Sequence, residues 1–321
     1  TQGRAPFQQN IVASNRGDGA LAVSAAAAST DSGSEWLETE IVGNVVAVRA
    51  VNLDGVEAGL YRGTVRIDSN AANSPQQVVV FLDLRPEQPP TAFFRAAVNG
   101  ATFNASTPLA PGTIATVFGE QLSFGFEQAT VLPLPREMGG ARIVVSNLDG
   151  GSPVEAPLFF VSSGQLNFQV PYETTPGTKK LQDFRDGQAG NEITVQIDTR
   201  SAGLFRLNRG EYGAVVNATR STADVVSLPI PASTPVAPGV SAQPARPGDV
   251  LVFFATGLGP ITPNVATGEA PAAQTNAVDV PIVNFGRSPF GPLADPLFVG
   301  LSPGFVGLFQ INVCLLYTSD A

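Results

Sequence analysis

The sequence contains no histidine and a single cysteine, Cys314, among its 321 residues. Histidine is the side chain that most often acts as a general base near neutral pH and as a metal ligand. Its absence excludes catalytic sites of the Ser-His-Asp and Cys-His types. A lone cysteine cannot form a disulfide within the chain. We therefore expect a non-catalytic protein with no cofactor and no metal site.

Charged residues are also scarce, at 14% of the chain, and the excess of acidic over basic side chains gives a net charge of -9. No basic cluster is present that could neutralise the phosphates of a nucleic acid, so we expect no nucleic-acid partner. No apolar run approaches the roughly 20 residues that a membrane-spanning helix requires, so we expect no membrane insertion.

Glycine, proline and apolar residues are abundant: the chain has 33 Gly, 27 Pro and a hydrophobic fraction of 43%. Many Val, Thr and Phe residues between turn formers are typical of short strands joined by tight turns, which predicts an all-β protein. A chain of this length is long enough for two or three domains.

Residues 1–86 have the alternation of a small β-sandwich, most clearly at 61–68, where Val65 and Ile67 are expected to face inward. Three pieces of this region, residues 34–37, 58–65 and 69–75, resemble the BACON domain. The resemblance implies an immunoglobulin-like sandwich from a secreted bacterial protein, and the family name implies carbohydrate binding.

Trp36 is the only tryptophan of the chain and lies in the first of these pieces. In a carbohydrate-binding domain its ring would be a platform on which a sugar stacks. In a purely structural domain it would be a core aromatic, because large aromatic residues dominate sandwich cores. Both interpretations are open at this point.

Three prolines within residues 86–90 predict a stiff, extended linker, which we place at 87–91. Beyond the linker the chain repeats itself, because residues 111–122 match 247–259, and 165–168 match 310–313. Two tandem copies of one sandwich unit, at 92–200 and 201–313, explain both matches. The fold prediction is therefore three tandem immunoglobulin-like β-sandwich domains.

The repeated region carries a second resemblance. Residues 98–103, 109–119, 134–140, 157–177 and 247–260 resemble the Solibacter uncharacterised C-terminal domain family, over about residues 92–313. The chain departs from that family at Gly100, where Ala usually follows Val-Asn. The resemblance implies a place at the C-terminus of large, repetitive, secreted proteins of soil bacteria, without an assigned activity.

Alternating apolar and amide residues at 165–170 predict a half-buried strand with Leu166 and Phe168 facing inward. Amide side chains on an outward face can hydrogen-bond the hydroxyl groups of a sugar. The candidate glycan-binding residues are therefore Trp36, Gln165, Asn167, Gln169, Gln310 and Asn312. A polar solvent face or an interdomain contact would explain the five amides equally well.

Paired carboxylates can hydrolyse glycosides without histidine. The candidates for this role are Glu120, Glu127, Glu173 and Asp183, but they lie in predicted turns or beside Pro and Gly. We interpret all four as solvated loop charges.

Residues 314–321 do not continue the repeat, whose first copy proceeds as Gln169-Val170-Pro171. Their sequence can be encoded by DNA that looks like a transposase adapter used in sequencing libraries. We expect these residues to be an artefact of assembly, with a genuine frameshifted end as the alternative. If residues 314–321 are such an artefact, the third domain lacks its final strands.

Three functional hypotheses follow. The first is a non-catalytic structural or adhesive module of a large secreted or cell-surface bacterial protein. The second is a carbohydrate-binding accessory module of an extracellular enzyme that acts on polysaccharides, and the third is an enzyme. The expected partners are a polysaccharide or cell-surface glycan and the neighbouring domains of a longer chain.

Overall fold

The computed structural model describes residues 8–15, 19–84, 88–207, 212–284 and 293–315. Over these ranges the chain forms 28 β-strands and no α-helix, so the predicted all-β fold is confirmed. No helix in this part of the chain is long and apolar enough to cross a membrane. The chain divides into two compact units. The first runs to Pro89 and includes Phe124–Phe126, and the second takes Pro90–Ser123 and the chain from Glu127 onward.

The described residues of the first unit form two antiparallel sheets of three strands each. The strands are β1 (Gln9–Val12), β2 (Val23–Thr30), β3 (Leu37–Val42), β4 (Val45–Ala50), β5 (Gly59–Ser69) and β6 (Gln76–Leu84). The strand order is β1-β4-β3 in one sheet and β2-β5-β6 in the other. The inward residues of both sheets share one hydrophobic cluster, so this unit is a β-sandwich.

Strand β5 shows why the sequence folds this way. Val65 and Ile67 are buried in the cluster, whereas Arg66 between them and Arg62 before them are exposed. A strand points successive side chains to opposite faces, so this alternation buries one face and solvates the other. The predicted inward face of this strand is therefore confirmed.

The second unit begins with a larger sandwich. Its strands are β7 (Thr91–Asn99), β8 (Ile114–Glu120), β9 (Glu127–Gln128), β10 (Ala141–Asn147), β11 (Val154–Ala156), β12 (Leu158–Val161), β13 (Gln165–Gln169), β14 (Gly177–Arg185) and β15 (Gln188–Ile197). They form a five-stranded sheet, β7-β8-β13-β12-β9, and a four-stranded sheet, β11-β10-β14-β15. All pairings in both sheets are antiparallel.

The core of this sandwich lies between the two sheets. Val117, Leu166 and Phe168 face it from the five-stranded sheet, and Ile143 and Leu181 face it from the other. Leu166 and Phe168 are fully buried, which confirms the inward face predicted from the alternation in residues 165–170.

The remainder of the second unit consists of shorter strands. They are β16 (Gly203–Leu204), β17 (Arg206–Leu207), β18 (Tyr212–Gly213), β19 (Val215–Asn217), β20 (Val226–Leu228), β21 (Val240–Ala242), β22 (Val250–Thr256), β23 (Ile261–Thr262), β24 (Asn276–Ala277), β25 (Val283–Asn284), β26 (Leu293–Ala294), β27 (Phe298–Leu301) and β28 (Phe309–Cys314). The main sheet has the order β16-β22-β28-β27, with β19 also on β22. The pairs β17-β18, β20-β21, β23-β24 and β25-β26 complete this part.

A second hydrophobic cluster of the same unit is built on β22, β27 and β28, and includes Ala255, Val299, Phe309 and Ile311. Each of the two predicted repeats thus has its own cluster of buried apolar residues. The division of this unit into two domains at residue 200 stays a prediction. Residues 316–321 of the predicted artefact lie outside the described residues.

Candidate functional site

Trp36 lies in the core of the first unit, with 1% of its surface exposed. Its ring packs against Gly63 on β5, where an added Cβ would lie 3.1 Å from Trp36 Cζ2. Stacking on a sugar requires an open ring face. The ring is therefore not available as a sugar platform, and of the two interpretations the structural one is correct.

Gln165 and Asn167 lie side by side on the outer face of β13 and are half-buried. Gln165 Nε2 donates to Asn167 Oδ1 over 2.7 Å, and Thr116 Oγ1 donates to the same oxygen over 3.0 Å. The side-chain oxygen of Asn167 thus already accepts hydrogen bonds from two neighbours on its own sheet. These contacts favour the interpretation of this pair as a self-paired polar face.

Gln169, the third amide of the strand, is not exposed to solvent, so of the interpretations left open for the amides the interdomain contact is the one that fits it. Its exposed fraction is 0%, and Gln169 Oε1 accepts a hydrogen bond of 2.7 Å from the backbone N–H of Gly268. The second repeat covers this end of the sheet. Gly307 packs against it so closely that an added Cβ would lie 3.1 Å from Ile114 Cγ1. Gln169 therefore belongs to a contact between the repeats.

That contact, called the boundary contact below, joins the first predicted repeat (92–200) to the second (201–313). Thr256 Oγ1 accepts from the backbone N–H of Ile114 over 2.8 Å and donates to the carbonyl of Gly307 over 2.9 Å. Asn99 Nδ2 donates to the carbonyl of Ser201 over 3.0 Å. Sequence patterns do not predict these residues, because a threonine at a strand end has no distinctive pattern.

Glycine makes the close approach at the boundary contact possible. A Cβ on Gly257, whose φ is +75°, would lie 2.3 Å from the carbonyl oxygen of Ser201. A Cβ on Gly307 would lie 2.6 Å from the carbonyl oxygen of Gly112. Backbones that approach this closely exclude any side chain larger than hydrogen.

Gln310 and Asn312 lie together on the outer face of β28, beside a groove of about 600 Å³. Gln310 Oε1 accepts from Ser302 Oγ over 3.3 Å. Asn312 Oδ1 is buried and has no hydrogen-bond partner among the described residues. Of the predicted glycan-binding residues, these two are the ones that the structure places at the floor of an open groove.

The lining of this groove, called the amide groove below, mixes apolar side chains with amides. Leu297, which is 64% exposed, and Phe298 form one side. The segment at 271–274 runs along the other side and is held close to β27, since a Cβ on Gly300 would lie 1.9 Å from the carbonyl oxygen of Thr275. No lining residue is charged. This chemistry suits an uncharged ligand that donates hydroxyl protons to amide oxygens.

The four carboxylates considered for catalysis are dispersed. Glu120 and Glu127 are exposed near the ends of strands, and Glu173 is exposed in a loop, where Glu173 Oε2 accepts from Thr267 Oγ1 over 2.6 Å. Asp183 lies on β14 with an exposed fraction of 0%. The interpretation of Asp183 as a solvated loop charge is therefore wrong.

Asp183 faces the interior together with Arg185, which donates through Nη1 to the carbonyl of Gln121 over 2.9 Å. Apart from its own backbone amide, the Asp183 carboxylate has no hydrogen-bond partner among the described residues. A Cβ on Gly190 would lie 2.7 Å from Asp183 Oδ1 and 2.6 Å from the carbonyl oxygen of Pro90. The carboxylate is therefore packed near a carbonyl oxygen that cannot donate to it.

Burial raises the pKa of Asp183 from its ordinary value of 3.8 to about 6. Its own backbone amide and the charge of Arg185 lower the pKa, but by less than burial raises it. A carboxyl group with this pKa carries a proton for part of the range between pH 5 and pH 7. None of the other three candidate carboxylates is buried with Asp183, because Glu120, Glu127 and Glu173 are all exposed.

Within the described ranges, no group of three or more Cys, Asp or Glu side chains could hold a metal ion. When the chain is compared with known proteins, no family model matches it and no curated protein matches it. Both family resemblances stay predictions.

Proposed function

We propose that this chain is a non-catalytic structural or adhesive module of a large secreted or cell-surface bacterial protein, in which residues 90–315 serve as a stiff spacer. The observation that carries the proposal is the boundary contact. Thr256 and Gln169 have exposed fractions of 0%, and their side chains bond backbone groups of the opposite repeat. A buried polar contact is costly to break, so it resists bending between the repeats.

The spacer proposal predicts that the second unit unfolds under force as one body. The full chain would be held by its ends in optical tweezers. We expect one step that releases roughly 700 Å of contour length, as about 225 extended residues would. Two separate steps of about half that length would contradict the proposal.

Thr256→Val is the variant that tests the boundary contact directly. Valine keeps the shape of threonine but leaves the Ile114 N–H and the Gly307 carbonyl unpaired, so we expect a loss of about 2 to 4 kcal/mol in the free energy of unfolding of the second unit. In the tweezers, the single step should divide into two. Thr194→Val, on the exposed face of β15, is the control and should leave the trace unchanged.

Secretion is proposed because the sequence resembles domains of secreted bacterial proteins. The gene upstream of Thr1 tests it, since it should encode a signal peptide. An upstream coding sequence that encodes no signal peptide would contradict this part of the proposal.

We also propose carbohydrate binding as a second candidate function, and the amide groove is the observation that favours it. The amides Gln310 and Asn312, together with the apolar side chains of Leu297 and Phe298, suit a sugar that presents hydroxyl groups and C–H faces. Affinity electrophoresis against soluble polysaccharides tests this candidate with the full chain.

Asn312→Ala is expected to weaken polysaccharide binding about three- to tenfold, because one hydrogen bond contributes roughly 1 kcal/mol. Gln77→Ala, an exposed amide of β6 in the first unit, is the matched control and should bind as the unchanged protein does. If saturable binding survives Asn312→Ala at full strength, the amide groove is not the site.

A further inference from the structure

A second cavity lies beside the boundary contact and includes none of the predicted site residues. Its volume is about 470 Å³. The loop at 172–176 forms one wall and the loop at 264–267 forms the other. Thr267 ties the walls together, because Thr267 Oγ1 accepts from the backbone N–H of Tyr172 over 2.9 Å and donates to Glu173 Oε2 over 2.6 Å. This cavity is called the loop cavity below.

The lining of the loop cavity is largely apolar. Pro111, Pro176 and Pro260 contribute ring surfaces, and Ile261 and Val265 contribute aliphatic ones. A cavity of this size and character falls in the range of small-molecule sites, which occur preferentially where two structural parts meet.

Two hydroxyl groups in this lining have no partner among the described residues. They belong to Tyr172 and to Thr174, whose exposed fraction is 7%, and both oxygen atoms are buried. A buried hydroxyl without a hydrogen bond destabilises the protein relative to an apolar group of the same shape. Both oxygen atoms lie just behind the surface of the lining, so a ligand reaches them through a small shift of the walls, and an acceptor atom that it supplies would then remove that penalty.

The charges of the lining restrict the ligand further. No lysine or arginine lines the loop cavity, and the one charged group is the carboxylate of Glu173 at its exposed rim. An anion would meet a like charge there without a compensating cation, so anionic ligands are disfavoured.

We infer that the loop cavity binds a small, uncharged ring compound that carries a carbonyl oxygen. The ring would pack against the proline and aliphatic walls, and the oxygen would accept hydrogen bonds from the hydroxyl groups of Thr174 and Tyr172. A bound ligand would touch both repeats and would therefore also strengthen the boundary contact.

Three probes of similar size test separately the ring, the carbonyl oxygen and the absence of charge that the inference requires of the ligand. Acetophenone has the ring and the carbonyl, ethylbenzene has the ring alone, and benzoate adds a negative charge. With the full chain and ligand-observed NMR titrations, we expect saturable millimolar binding of acetophenone. Ethylbenzene and benzoate should each bind at least threefold more weakly. Acetophenone without saturable binding, or equal binding of all three probes, would overturn the inference.

Thr174→Val and Tyr172→Phe remove the two hydroxyl groups while nearly preserving shape. Each should lower acetophenone affinity about three- to tenfold and leave ethylbenzene binding unchanged. Because both hydroxyl groups are unpartnered, neither substitution should lower the Tm of the ligand-free protein. A lower Tm with unchanged acetophenone affinity would show that the hydroxyl groups are structural and would reject the inference.

Ala266→Trp places a bulky ring at the exposed rim of the loop cavity and should abolish acetophenone binding. Ala272→Trp, at an exposed alanine of the amide groove, is the control and should leave that binding intact. Equal acetophenone binding by both tryptophan variants would place the probe elsewhere and count against the loop cavity.

Discussion

Replacing Trp36 with alanine is expected to lower the free energy of unfolding of the first unit by about 3 to 5 kcal/mol, the usual cost of deleting a buried aromatic side chain. The ring is buried in a cluster that also holds Val46, Val65 and Leu84, so its removal leaves a cavity in that cluster. A small domain has a total stability of only about 5 to 15 kcal/mol, so the loss would be a large fraction of it.

Hydrogen–deuterium exchange measures this effect in the full chain. Peptides from β5 and β6 should lose protection in Trp36→Ala, whereas peptides from β13 and β14 in the second unit should keep it. Trp36→Phe retains an aromatic ring and should lose much less protection. Unchanged exchange of the first unit in Trp36→Ala would show that the ring does not support the core.

Asp183→Asn is expected to stabilise the second unit at neutral pH by about 3 kcal/mol at most. The carboxylate is buried without a hydrogen-bond partner from another described residue, and its pKa is raised from 3.8 to about 6. A difference of about two pKa units between the folded and unfolded states corresponds to about 3 kcal/mol. Asparagine has nearly the same shape and carries no charge, so it avoids the cost of burying an ionised group.

The sign of the pH dependence follows from the direction of the shift. The folded state holds the Asp183 proton more tightly than the unfolded state, so the stabilisation from this group is fully present below about pH 4. It is lost as the pH rises through about 6. Asp183→Asn and the unchanged protein should therefore have similar stability near pH 4 and diverge as the pH rises to 7.

Urea unfolding at several pH values tests this prediction, with Asp224→Asn as the control because Asp224 is exposed. The control should track the unchanged protein at every pH. A stability difference between Asp183→Asn and the unchanged protein that stays constant from pH 4 to pH 8 would show that Asp183 does not titrate in this range.

The sequence by itself determined the all-β class and the inward faces of the regular strands. In residues 65–67 of β5 and in β13, apolar residues alternate with polar ones, so the face that leaves water is set locally, whatever the neighbouring strands are. The abundance of glycine and proline likewise determined that short strands and turns would replace helices.

Strand β14 shows where local pattern fails. Leu181 and Phe184 fall on opposite faces of the alternation, and the pairing with β15 shifts between Gln182 and Phe184, so apolar residues alone do not choose a face. In the packed four-stranded sheet, the face of β14 that carries Leu181 is the buried one. Asp183 and Arg185 lie on the same face and are buried as well.

The candidate site also depended on tertiary structure. Gln165 and Gln169 have the same place in the alternation, yet the first is half-exposed and the second is fully buried, because the second repeat packs over only one end of the strand. The sequence determined which amides share a face. Only the tertiary structure decided which of them meet solvent, another repeat or a groove, because contacts between residues distant in the chain leave no periodic signal.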